Sequence, residues 1–482
     1  MLKSYIEKNI YRQVYLCEQL YEFNELCIVD SAKKLGVSSP TIIHDLDTIM
    51  DKLACFIQTF EKKRNSYRLT FIPTVSQSEL TQIIYNDSYF LRFLCHYFEG
   101  NFSSIYLSEA EYISLSKTYT IKNEILAFFE EQGYLKADDS IEIPEVDYRY
   151  LLLSLIRYTG WDGYRLQHSG VARACDELIS YVKKHFFFRV YAEEEKELIH
   201  RGIQIALLRK HDHPVFFSED VLQEAEMKPL YILVKQGIAL QKEEFTFSIH
   251  EVAFVFSLFN SRSYTCNSME LLNKDFDLVY ATFVLKNPEI DLLNNRINQI
   301  LGNDLNEQMI FKKAYLKFTR TLWADTQIFI PDNIYLLDWA QLEIYNKLIQ
   351  VINEWKKHNP TSLRINLNLL RKFVYSISLI TLPNEKESQK EIFIVASSDI
   401  KQLYYREKLN LCCSNKAAIS NIIYRNLDEV NLDLMFCSDR IVLCDQTIYQ
   451  AGYSTEQTQV YPISIKTIDI VLSRLTSMKE II

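Results

Sequence analysis

The side chains able to do chemistry in this sequence fall into a few sets, and most lack the partners that chemistry needs. His211 and His213 flank Asp212 ahead of Pro214. Such a pair can ligate a metal, but no Cys or Glu stands where it would complete a site. No nucleophile elbow, metal-binding helix or paired-carboxylate site occurs, so neither a hydrolase nor a synthase is indicated. Glycines are scattered, Gly160 and Gly163 being the closest pair, and neither G-x-G nor Gly-Lys-Ser/Thr is found. A P-loop and a Rossmann turn are thereby excluded. The ten cysteines include adjacent Cys412 and Cys413 but no C-x-x-C clamp, and they read as reduced, buried small hydrophobes. What remains is recognition chemistry. Hydroxyls and an imidazole share one short segment (Ser39, Thr41, His44), and three consecutive cations, Lys62-Lys63-Arg64, follow it.

The elements needed to present these groups are legible. A helix-turn-helix requires a small residue where its helices cross, a turn residue tolerant of positive φ, and apolar anchors on both helices. Ala32, Gly36, Val37 and Ile42 supply them within the run Ile28–Leu46. Ser38 can cap the second helix, and Pro40 stands in its first turn, where a missing N–H costs little. This places Ser39, Thr41, Ile43, His44 and Asp47 outward. None is the bidentate Arg or Asn that fixes a strong base preference, so modest direct readout and more reliance on DNA shape are expected. Phe56–Phe60 and Tyr67–Phe71 read as two strands around the basic triplet, with Arg68 on the returning strand. A winged helix-turn-helix sets such a tip beside phosphate or in the minor groove.

A weaker second unit follows. Leu107–Ser116 reads as a first helix and turn, and Lys117–Leu126 as a second helix. Its candidate contacts are Lys117, Thr118, Tyr119, Lys122 and Asn123. Tyr134–Ile143 would be its wing, although Asp138-Asp139 at the tip repels phosphate.

The 482 residues contain only ten Gly and ten Pro, well below the usual shares of about 7% and 5%. Helices shed both residue types, so a mainly α, multidomain chain is expected. Helical periodicity runs through residues 146–380 and divides near residue 275. The polar run Asn384–Lys390 reads as a linker. Beyond it, Ile392–Ala396, Leu432–Phe436, Ile441–Leu443 and Tyr461–Ile465 read as strands, with helices over Ile400–Leu409 and Thr467–Leu475. That alternation indicates a small α/β unit. No apolar run approaches a membrane span, and Met1–Tyr5 begins no signal peptide, so a cytoplasmic location is expected. A net charge of −9 requires any nucleic-acid surface to be local.

In its order of parts the chain resembles the Mga/AtxA family of virulence regulators from Gram-positive bacteria. The likeness rests on Ala32–Leu46, Leu107–Leu126, the helical middle and the terminal α/β unit. It implies winged helix-turn-helix domains at 1–75 and 76–145. Helical phosphotransferase-system regulation domains would span 146–275 and 276–383, and an enzyme IIB-like domain 391–482. The implied function is a promoter-binding activator or global regulator favouring curved or AT-rich DNA, with no cofactor and no catalytic or metal-binding residue. Implied partners are double-stranded DNA, a second copy of the chain, the phosphocarrier protein of the phosphotransferase system and RNA polymerase, with no membrane. The alternative is a phosphotransferase relay or interaction protein that does not touch DNA.

The resemblance also marks possible phosphorylation sites, His200 and His250. Glu197–Arg209 resembles the first regulatory element, yet the spacing to Arg209 puts Gly202 at the phosphorylatable position. Ile249–Leu258 resembles the second, with Leu258 where a His would be common. His185, ahead of Phe186-Phe187-Phe188, reads as a packing residue, and His358 lies in a polar segment. In the terminal unit Ser397-Ser398-Asp399 stands where enzyme IIB domains carry a nucleophilic Cys, which favours an interaction role.

Overall fold

The computed structural model describes residues 2–63, 65–138, 140–164, 169–241, 243–301, 308–358, 363–381, 390–412, 417–420, 422–433, 440–449 and 458–477. Over these residues the chain is mainly helical, with two small sheets. It divides into two units, Met1–Ser378 and Leu379–Ile482. No helix among the described residues is long and apolar enough to cross a membrane.

The first unit begins with α1 (Leu2–Tyr5), α2 (Lys8–Phe23), β1 (Glu25–Cys27), α3 (Ile28–Leu35), α4 (Ser39–Lys52), β2 (Ile57–Lys62) and β3 (Ser66–Phe71). α2 buries Val14, Leu16, Cys17 and Leu20. The sheet is antiparallel with β3 in the middle, Leu26 facing Tyr67 on one side and Phe60 facing Leu69 on the other. The expected hairpin is present, but its first strand starts one residue later and runs on to Lys62. Lys62 is therefore a strand residue rather than part of the tip. β1 was not anticipated, because three residues carry no readable alternation.

Next come α5 (Gln77–Tyr85), α6 (Tyr89–Phe98), α7 (Ser104–Ala110) and α8 (Leu115–Glu131). A short hairpin closes where Leu135 bridges Ile141. Aromatic rings fill this core, with Phe90 and Phe128 edge-on at 5.8 Å and Tyr97 and Phe129 at 5.0 Å.

The helical body consists of α9 (Glu145–Thr159), α10 (Ser169–His185), α11 (Glu193–Arg209), α12 (Glu219–Glu226), α13 (Pro229–Leu240) and α14 (Ile249–Ser261). It continues through α15 (Met269–Tyr280), α16 (Pro288–Leu301), α17 (Met309–Thr319), α18 (Trp339–His358) and α19 (Leu367–Thr381). α9 is buried on nearly every side, from Arg149 through Ile156. Arg149 is held by Glu251 at 2.6 Å and Glu145 at 2.8 Å, and Arg209 joins the same Glu145 at 2.7 Å. Buried charges survive only when matched in this way. Residue 275 falls inside α15, where Asp275 is buried against Arg189 at 2.7 Å.

The second unit contains β4 (Lys390–Val395), α20 (Asp399–Cys412), β5 (Ala417–Ile419), α21 (Leu427–Asp433), β6 (Arg440–Asp445), β7 (Thr458–Ile463) and α22 (Ile468–Ser477). Its four strands are parallel in the order β5-β4-β6-β7. One face packs on Tyr405, Leu409, Ile468 and Leu472, the other on Tyr424, Leu427 and Val430. The strand expected at Leu432–Phe436 is corrected at its start, since Leu432 and Asp433 end α21. Residues 434–439 lie outside the described residues, as do residues 384–389 of the expected linker.

Seven cysteines among the described residues are free. Cys17, Cys95, Cys175 and Cys444 are buried as expected, whereas Cys55 is exposed and Cys27 and Cys266 are half-buried.

Candidate nucleic-acid interface

The turn between α3 and α4 is built by local hydrogen bonding. Gly36 takes φ 66°, a conformation side chains resist, and ends α3. The Gly36 N–H donates to the Lys33 carbonyl at 3.3 Å and the Val37 N–H to the Ala32 carbonyl at 3.0 Å. Both bonds occupy carbonyls that the helix end would otherwise leave unpaired. Ser38 then caps α4 by accepting from the Thr41 N–H at 3.4 Å, with Pro40 in the first turn.

α4 is two-faced. Ile42, Leu46 and Ile49 are fully buried, and Asp45 is buried with them. Arg12 on α2 reaches Asp45 at 2.7 Å, and Gln13 donates to it at 3.2 Å, so the inward carboxylate is neutralised. His44 and Asp47 are exposed, while Ser39, Thr41 and Ile43 are half-buried. The Thr41 hydroxyl lies 2.9 Å from that of Ser38 and so belongs partly to the cap.

Asp47 does more than face outward. It accepts from the Tyr67 hydroxyl at 2.6 Å and from Lys62 Nζ at 3.1 Å. Hydrogen bonds from Tyr67 and then Lys62 hold its carboxyl below the usual carboxylate range. Asp47 therefore fastens β2 and β3 to α4. The hairpin cations are matched in the same manner. Lys63 lies 3.6 Å from Glu61, and Arg68 lies 2.7 Å from Glu25 on β1. Arg64 lies outside the described residues. All three pairs are on the surface, where water and salt let a phosphate replace a carboxylate at little cost.

In the second helix pair, Ser114 caps α8 by accepting from the Lys117 N–H at 3.3 Å. Tyr119 and Asn123 are exposed. Lys117 Nζ sits 3.7 Å from the Tyr89 ring centroid. Two expected contacts are corrected. Thr118 is fully buried, its hydroxyl donating to the Ser114 carbonyl at 3.2 Å, because it falls on the core face beside Ile121. Lys122 Nζ donates to the Phe102 carbonyl at 2.8 Å and to Ser104 at 3.2 Å, and burial lowers its pKa. It stitches α8 to the segment ahead of α7.

The two positions that the resemblance would give to histidines face each other. A Cβ added at Gly202 would lie 2.4 Å from Leu258 Cδ1, so glycine is what lets α11 and α14 approach. His200 is half-buried, its Nε2 3.1 Å from Asp176 on α10. His250 accepts the Phe217 N–H on Nδ1 at 3.2 Å and lies against the Phe216 ring. His211 and His213 are exposed, and so is His185, which packs on Tyr181 with ring centroids 4.4 Å apart. No group of three potential ligands gathers around a metal position among the described residues.

In the second unit, Ser397 donates to the buried Asp445 at 2.7 Å, and Lys401 reaches the same oxygen at 2.7 Å. Burial raises the Asp445 carboxyl, but bonds from Lys401, Ser397 and Thr447 outweigh it and hold it down to about 2.

The residues that sequence reasoning missed are the acidic partners Asp45, Glu61 and Glu25, together with Tyr67. Glu61 lies two residues from Lys63, whereas Asp47 and Glu25 lie 15 and 43 residues from Lys62 and Arg68, too far for spacing to signal the pairing. No protein-family model matches the chain, and no curated protein sequence matches it.

Proposed function

We propose that the chain is a cytoplasmic DNA-binding transcriptional regulator, an activator or global regulator of the Mga/AtxA kind. α2–β3 and α5 through the Leu135–Ile141 hairpin act as its two winged helix-turn-helix domains. α9–α19 act as helical regulation domains and β4–α22 as an enzyme IIB-like unit for self-association. The observation that carries the reading is the outward face of α4, with exposed His44 beside a hairpin bearing Lys62, Lys63 and Arg68. A helix of this size fits the major groove, and the hairpin then meets the flanking backbone. α4 offers one imidazole, small hydroxyls and an isoleucine, so base preference is modest and DNA shape carries more of the selection.

Pairing two chains would place four DNA-binding domains on one promoter and raise affinity through effective concentration. The relay alternative draws no support from the Gly202–Leu258 contact, which leaves no imidazole at either regulatory position.

Gel shift on straight and curved AT-rich duplexes, at two salt concentrations, tests the proposal. Tighter binding to the curved duplex and a steep salt dependence are expected. Changing Lys62, Lys63 and Arg64 together to Ala should flatten the slope of log K against log salt by ~0.9 per lost contact. No binding to either duplex, or a slope untouched by the triple change, would overturn it.

A further inference from the structure

A cavity of about 870 Å3 opens in the first unit between the α3–α4 turn and the helical body. Leu35, Gly36 and Val37 line it together with Ile328, Phe329 and Leu336. Its charged lining is one-sided. Lys3, Lys8, Arg12, Lys34 and Arg371 all border it, against a single acid, Glu131, which accepts from the Tyr5 hydroxyl at 2.7 Å. In a chain of net charge −9 this gathering of cations runs against the average.

Two of the cations have structural duties. Lys3 Nζ donates to the backbone carbonyls of Asp332 and Asn333, and Arg12 holds Asp45. The other three have none of that kind. Among the described residues, Lys8, Lys34 and Arg371 form no ion pair, the latter two lying only over the rings of Tyr15 and Tyr345. Lys8 and Lys34 are exposed and Arg371 is half-buried, so all three are available to an anion that enters the cavity, where partial burial strengthens the pairing.

We propose that this cavity binds a small organic anion. A phosphate, sulfonate or carboxylate head would meet Lys8, Lys34 and Arg371, and an apolar body would lie against Val37, Phe329 and Leu336. The inference stands on the cavity's chemistry and does not require the DNA-binding reading.

The test uses the full chain and two fluorescent probes of similar shape, 8-anilinonaphthalene-1-sulfonate and the neutral N-phenyl-1-naphthylamine. The sulfonate should bind saturably and more tightly than the neutral probe. Lys8→Met and Arg371→Met should each weaken it by about tenfold or more, as loss of a charged hydrogen bond does. Arg371→Lys should retain binding, and neither Met variant should affect the neutral probe. Lys8 is exposed, so its variant keeps the test decisive even if Arg371→Met folds poorly. Equal affinity for the two probes, or sulfonate affinity unchanged in both Met variants, would overturn the proposal.

Discussion

Replacing Asp47 with Asn should tighten DNA binding while leaving the fold almost untouched. The Asp47 carboxylate accepts from Tyr67 at 2.6 Å and pairs with Lys62 at 3.1 Å, with the Asp47 and Lys62 side chains 52% and 47% exposed. An ion pair this open adds little net stability, and an amide oxygen still accepts from Tyr67. The melting temperature should therefore move only slightly. On the DNA side, one negative charge leaves the outward face of α4. A carboxylate and a phosphate about 8 Å apart in water repel by about 0.5 kcal/mol, a factor of about two in affinity. Lys62, released from Asp47, is then left to its phosphate alone. Binding at low salt should tighten about two- to fivefold, and the gain should shrink as salt rises. Fluorescence anisotropy of a labelled AT-rich duplex between about 50 and 200 mM salt reads both quantities, and thermal melting reads the fold. Weaker binding, or a gain that does not shrink with salt at an unchanged melting temperature, would refute the placement of α4 and its hairpin against phosphate.

Gly202→Ala gains up to about 1 kcal/mol of helix propensity but must displace Leu258 from a 2.4 Å approach. It should lower stability in the natural chain and raise it in a Leu258→Ala background, a sign change that denaturant unfolding can detect. Lys122→Met should destabilise by about 1 kcal/mol and leave the salt slope of DNA binding unaltered, because its ammonium serves Phe102 and Ser104. The folded-state pKa of Asp445, about 2, is depressed from an ordinary value near 4. Its contribution of about 2 kcal/mol is present above that ordinary value and lost as pH falls through about 2. Lys401→Met should raise the pH of this loss, as followed by circular dichroism of the full chain. If the cavity communicates with α4 through Arg12 and Asp45, saturating anilinonaphthalene sulfonate should change duplex affinity about threefold or more. A change below about 1.4-fold, with the probe shown to be bound, would sever that link while leaving the site itself standing.

Periodicity carried far because it reports burial. Ala32, Ile42 and Leu46 lie where an apolar anchor must be, and Gly36 has the positive φ that its place in the turn demands. The same logic located β4 and β6, whose apolar runs are short and buried on both faces. It failed where length or partner choice decides the outcome. Leu432 and Asp433 alternate like the start of a strand, but α21 ends through them. Thr118 reads as a candidate contact beside Lys117 and Tyr119, yet counting back one and two helical turns from Ile121 and Ile125 sets it on the core side.

What the linear order could not reveal is which charges answer one another. Read in sequence, Lys62, Lys63 and Arg64 look like a free cationic fingertip with Arg68 on the returning strand, and on folding Lys62, Lys63 and Arg68 each meet a carboxylate. On the proposed DNA-binding reading, that pairing would leave them able to meet phosphate while changing the energetics of doing so. In the free protein the acids suppress repulsion among the cations and orient the hairpin on α4 through Asp47. On DNA, each phosphate would have to displace a carboxylate that then stays nearby as a like charge. The net gain per contact would then be smaller than for an unpaired lysine, which would lower affinity for any single duplex. If the proposal holds, a protein of net charge −9 built in this way would bind firmly only when several such contacts are linked or when DNA shape brings phosphates close. On the proposed reading, low intrinsic affinity and dependence on curvature and self-association would be one property, set by Glu25, Asp47 and Glu61 as much as by the cations they face.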